Sequence, residues 1–136
     1  MSSETFLKSE AVGLDPLDVG ARIEELKQLQ PGWLDGEGVP LPHAGLEWLR
    51  TAFDQFYSSD LPLPYLFPTL TGDALAEWSL KPWSPSLEID LVQHRGKWHA
   101  LNLETDEEKT EEIDLTDIRG WDWLGAQLRT IAGRTG

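Results

Sequence analysis

Glu77, Glu88, Asp90 and Asn102 are the side chains whose types and spacing could do chemistry. Alternation along SLEIDL, Ser86 to Leu91, sends Glu88 and Asp90 to one side of a strand and Leu87, Ile89 and Leu91 to the other. Glu77 sits on the preceding strand and Asn102 on the following one, so the register of these strands decides whether the groups meet. Two carboxylates at roughly 5 Å on neighbouring strands repel each other unless water, an arginine, a shared proton or a cation relieves them. A pair so placed could also do acid–base work on a bond held between them, which is the chemistry of a small hydrolase or a metal-assisted enzyme, with Asn102 orienting the ligand. Trp83, in the loop between two strands, and Trp98, on the same outer face, add aromatic surface of the kind that stacks on sugars or fills protein interfaces. The plainer reading is that an open antiparallel sheet carries charges on its solvated face.

The register turns on His94, Arg95 and Gly96. A three-residue loop with Gly96 in the left-handed conformation sets Leu91 against His99, Ile89 against Leu101 and Leu87 against Leu103, with every leucine and isoleucine of both strands on one face. A two-residue loop slips the pairing by one and brings Asp90 to His99, a pairing that looks catalytic. The three-residue loop is preferred, and it leaves His99 at the margin of the core. His43, His94 and His99 are scattered, no phosphate-binding glycine loop, serine triad or HExxH signature is present, and neither a cofactor nor a metal is expected.

The elements that position these groups follow from periodicity. Residues 1–14 carry no sustained period and are expected to be a mobile N-terminus, with residues 15–136 forming one domain. Asp15 as cap, Pro16 at the first position and Val19, Ile23 and Leu26 at helical spacing predict a helix that Pro31 and Gly32 end. GWLDGEG resembles a fragment of a calcium loop, but the twelve-residue ligand pattern fails, and a turn with glycines at positive φ is expected. His43 to Tyr57 forms a second amphipathic helix through Leu46, Leu49, Phe53 and Phe56. Strands follow at Tyr65 to Leu70, at an edge because of Pro68, at Asp73 to Leu80, at Ser86 to Val92, at His99 to Leu103 and at Glu111 to Leu115. Thr116 or Asp117 then caps a last helix whose stripe is Trp121, Leu124, Leu128 and Ile131. The sum is an α+β domain: an antiparallel meander of about five strands with two N-terminal helices and one C-terminal helix on one face. Its expected core joins Ala76, Trp78, Leu87, Ile89, Leu101 and Leu103 to Ile23, Leu26, Leu49, Phe53, Leu124 and Leu128.

Composition narrows the function classes. The 136 residues include no cysteine, which removes disulfides and thiolate chemistry and fits a reducing, cytoplasmic setting. No window approaches the roughly 18 apolar residues of a spanning helix, so no membrane association is expected. A net charge of −13 disfavours nucleic acid, since phosphate binding needs clusters of Lys and Arg that are missing. The same charge is explained first by solubility, and it also suits a basic protein partner or a cation. From Glu104 to Asp117 the chain carries eight carboxylates and one lysine, expected to form a solvated turn and an edge strand. The two edge strands, Tyr65 to Leu70 and Lys109 to Leu115, could pair between copies into a homodimer.

GWLDGEG, PTLTGDALAEW (Pro68 to Trp78), SLEIDL and HALNL (His99 to Leu103) together resemble a widespread family of small uncharacterised bacterial proteins. The resemblance covers most of the chain after Leu29. It implies a bacterial protein of a family of which some members are carried in mobile, integron-type gene cassettes, and it implies no activity. Asp73 departs from the pattern, which has a second glycine there. The residues themselves lead to the expectation of a small acidic, non-enzymatic binding or regulatory module. The alternative is an enzyme using the carboxylates of the open sheet face.

Overall fold

A computed structural model describes residues 18–135. The chain runs α1 (Val19–Leu26), α2 (His43–Phe56), β1 (Tyr65–Pro68), β2 (Ala74–Glu77), β3 (Trp83–Asp90), β4 (Arg95–Asn102), β5 (Glu108–Asp114) and α3 (Ile118–Thr135). The strands form one antiparallel sheet in the order β1-β2-β3-β4-β5, the α+β meander that the alternation predicts.

Each helix buries one stripe. Asp18 is the N-cap of α1, its carboxylate accepting from the Ala21 N–H at 3.0 Å. The expected capping pair Asp15 and Pro16, like the rest of residues 1–17, lies outside the described residues. α1 stops at Leu26, short of Pro31, because the chain tightens there: Gln28 N–H donates to Glu25 and Leu29 N–H to Leu26. Lys27 bridges Glu24 and Glu47, and His43 Nε2 lies 2.8 Å from the Lys27 carbonyl oxygen, tying α1 to the start of α2. The GWLDGEG segment is a tight turn with positive φ at Gly32, Asp35, Gly36 and Gly38, and the Trp33 indole lies where a side chain on Gly38 would stand. Ile23, Leu26, Leu46, Leu49, Leu124 and Leu128 from the helices meet Leu66, Ala76, Leu87, Ile89 and Trp98 from the sheet, so all three helices lie on one face. Phe56, expected within the α2 stripe, is 37% exposed.

The β3–β4 register differs from the expectation. Leu87 pairs with Trp98, Ile89 with Gly96 and Asp90 with Arg95, so the connecting loop is Leu91 to His94. One local interaction and one from α2 hold it. The Asp90 carboxylate accepts from the Val92 and Gln93 N–H groups, both at 2.9 Å. His94, not Gly96, takes the left-handed conformation at φ 61°, with its ring stacked on Trp48 at 3.8 Å and 2°. Gly96 serves packing instead: a Cβ there would stand 2.8 Å from Leu87 Cδ1 and 3.2 Å from side-chain atoms of Ile113 and Leu115. The pairing is thus displaced by an odd number of residues, and β4 turns over. Trp98 and Ala100 are buried, whereas Leu103 is 56% exposed and Leu101 only half-buried.

Candidate functional site

With the helices on one side, the other side of the sheet is its outer face, and three rows of side chains cross it. The register places Tyr65, Glu77, Ser86, His99 and Thr110 in one row and Phe67, Leu75, Glu88, Lys97 and Glu112 in the next. The third row runs Asp90, Arg95, Asp114, and continuing the β2–β3 register puts Asp73 beside Asp90. Signs alternate along these rows: Lys97 lies between Glu88 and Glu112, and Arg95 between Asp90 and Asp114. Cross-strand pairs of opposite charge stabilise a sheet by about 0.2–1 kcal/mol each. The register thus sets one cation between two carboxylates in each of the second and third rows.

The four predicted polar residues are not brought together. Glu77 stands opposite Ser86, so Glu88 is its diagonal neighbour and not its partner. Asn102 stands opposite Trp83 at the far end of the sheet, and its Oδ1 accepts from the Glu104 and Thr105 N–H groups at 2.9 and 3.1 Å, closing the β4–β5 turn. Asp90 is likewise engaged in its own turn, and those N–H groups hold its carboxyl below the usual range. The two tryptophans expected on the outside are both in the core. Trp98 is 1% exposed between Trp78 and Trp123, and Trp83 begins β3 at 4% exposure instead of lying in a loop. Pro85 is tolerated in this central strand because its nitrogen faces the rung just past the end of β2, where only its carbonyl is used, by the Trp78 N–H.

What the sheet does assemble is a shallow depression of about 300 Å³ lined by Asp73, Glu88, Asp90, Arg95, Lys97 and Glu112. Glu88 and Asp90 belong to the predicted set. Asp73, Glu112, Arg95 and Lys97 were missed, the two cations because their face depends on the register. Burial pushes the Asp73 carboxyl above its ordinary value despite the Thr71 hydroxyl it accepts from, and the charges of Asp90 and Glu88 add to the rise. Among the described residues no group of three or more His, Asp or Glu side chains is arranged to hold a metal ion. His99 contacts Glu108 at 2.5 Å, an exposed pair at the β5 side, and not Asp90. No described helix is long and apolar enough to cross a membrane.

At the β1 side the charged rows give way to apolar ones. Tyr65 and Phe67 are 41% and 39% exposed, with half-buried Leu75 beside Phe67. The outer face is thus aromatic at one margin, mixed in charge at its centre and acidic along β5. No family model, curated protein or solved structure matches the chain.

Proposed function

We propose that this protein is a small non-enzymatic binding module that holds a basic protein partner against the outer face of its sheet. The observation that carries this reading is the openness of a patterned face: no described element covers it, and it sets exposed Tyr65 and Phe67 in rows that also carry Glu77, Glu88 and Glu112. Aromatic anchors with a charged surround are the composition of a protein contact surface. The enzyme alternative draws less support from the geometry. Asp90 and Asn102 are committed to turns, Glu77 is only diagonal to Glu88, and the depression is shallow, whereas catalysis asks for convergent groups in a concave site.

The test is co-purification from native cells at low salt, using the wild-type chain, the Glu77→Ala/Glu88→Ala variant and a Tyr65→Ala/Phe67→Ala variant, each checked for folding by circular dichroism. Any captured protein is then purified and titrated directly against all three chains. Loss of binding by both variants, with strong salt sensitivity, is the expected result. Equal binding by all three would remove the outer face from the reading.

A further inference from the structure

The two edges of the sheet are not equivalent. Thr69 N–H donates to Asp73, so the odd-numbered residues of β1 bond to β2, and Leu66 and Pro68 present their backbone to the open side. That side is partly used up: Arg22 Nε donates to the Leu66 carbonyl at 2.8 Å, and Pro68 has no N–H to offer. β5 differs. Leu115 N–H donates to His94 and Asn102 N–H to Glu107, which fixes the odd-numbered residues of β5 as those bonded to β4. The N–H and C=O groups of Glu108, Thr110 and Glu112 therefore point away from the sheet. All three residues are exposed, and no described strand pairs with them. The α3 end of the same edge is covered, since Gly120 packs on the Asp114 carbonyl so closely that a Cβ would stand 2.1 Å from it.

We propose that the β5 edge from Glu108 to Glu112 receives an extended segment of the partner with Lys or Arg at alternate positions, which adds to the sheet as a further strand. This rests on the function proposed above and names the chemistry of its partner. Strand addition supplies main-chain hydrogen bonds, and side chains at alternate positions supply selectivity. Residues of the incoming strand opposite Glu108 and Glu112 lie on the outer face beside their carboxylates. Glu108 is already held by His99, whereas Glu111 and Glu112 make no ion pair with any described residue. A second copy of the chain is a poor occupant, because pairing β5 with β5 sets a strand of four carboxylates and one lysine against its like. The charge that guards this edge against itself selects for a basic strand.

The experiment uses the full chain and a synthetic peptide alternating Arg and Thr, with an Asp–Thr peptide as control, followed by amide hydrogen exchange and calorimetric titration. The Arg–Thr peptide is expected to slow exchange at Thr110 and Glu112, and the control to leave both unchanged. Thr110→Pro removes an outward N–H that the fold does not use, and should weaken binding about tenfold, on the order of one lost hydrogen bond with its partner left unpaired. Glu111→Lys/Glu112→Lys should abolish binding, and it serves as the deciding variant if Thr110→Pro fails to fold. Binding without protection at Thr110 and Glu112, unaffected by these substitutions but lost in Glu77→Ala/Glu88→Ala, would overturn the edge inference and leave the outer-face reading standing. Absence of binding at every salt concentration would overturn both.

Discussion

The β3–β4 register determines which side chains reach the outer face, and truncating Trp98 and Leu103 separately tests it. Trp98 is 1% exposed and its ring lies 6.0 Å from those of both Trp78 and Trp123, at 54° and 89°. Replacing a buried aromatic by alanine costs about 3–5 kcal/mol through lost transfer energy and the cavity left behind, and edge-to-face pairs add to it. Leu103 is 56% exposed. Full burial of a leucine is worth about 1.5–3 kcal/mol, so with more than half of its surface already in water Leu103→Ala should cost less than about 1 kcal/mol. Folded domains are stable by only about 5–15 kcal/mol, and Trp98→Leu, which refills part of the space, keeps the comparison measurable if Trp98→Ala unfolds. The assay is urea denaturation followed by far-ultraviolet circular dichroism, because removing a tryptophan alters the fluorescence signal itself. Equal m-values for the variants make midpoints comparable. A Leu103→Ala cost equal to or above that of the Trp98 variants would refute this register, and with it the placement of Lys97 and Arg95 among the carboxylates.

Two further perturbations probe the ground beneath the outer face. Burial raises the Asp73 carboxyl in the folded state, so its contribution favours folding below the ordinary carboxylate pKa and is lost as pH rises through the folded value; Asp73→Asn should raise the urea midpoint near about pH 7 and leave it unchanged near about pH 3. A lower midpoint at neutral pH would show that the charge is stabilising and the cause misassigned. Gly45→Ala normally gains helix propensity, but here the new Cβ would stand 2.3 Å from the Leu91 carbonyl oxygen, so a loss of about 1–3 kcal/mol is expected by thermal unfolding, and a gain would show that α2 does not press on the β3–β4 loop.

The helices and the meander were legible because their signals are local. Leu46 and Leu49 in α2, and Trp121, Leu124, Leu128 and Ile131 in α3, recur at helical spacing and are buried, and Leu87 and Ile89 alternate with Glu88 and Asp90 as a half-buried strand must. The candidate site was not legible, because its composition hangs on one loop whose conformation is set from outside it. Gly96 is the residue whose chemistry suggests a left-handed turn position, and by local reasoning that choice also gathers the leucines on one face. The fold instead gives that conformation to His94, which stacks on Trp48 from α2, while Asp90 caps the loop and Gly96 makes room for Leu87. Binary patterning failed at β4 for a related reason: its core residues are Gly96, Trp98 and Ala100, a large side chain flanked by two of the smallest, which carries a weaker alternation than Leu101 and Leu103 suggest.

The acidic run after Leu103 shows the same division between what a local pattern contains and what it leaves open. Its charge is plain in the chain, and so is its solvation, but charge alone serves equally to keep an edge strand from pairing and to select what pairs with it. The distinction emerges from the opposite side of the sheet. Arg22 occupies the Leu66 carbonyl and Pro68 removes a donor, so fewer backbone groups are left open along β1. At β5 the fold leaves three outward-facing residues bare in a strand of four carboxylates and one lysine, the setting from which the proposal of an added basic strand is argued. An edge protected only by charge is conditional where an edge protected by hydrogen bonding is not, and salt or charge reversal should act on β5 alone.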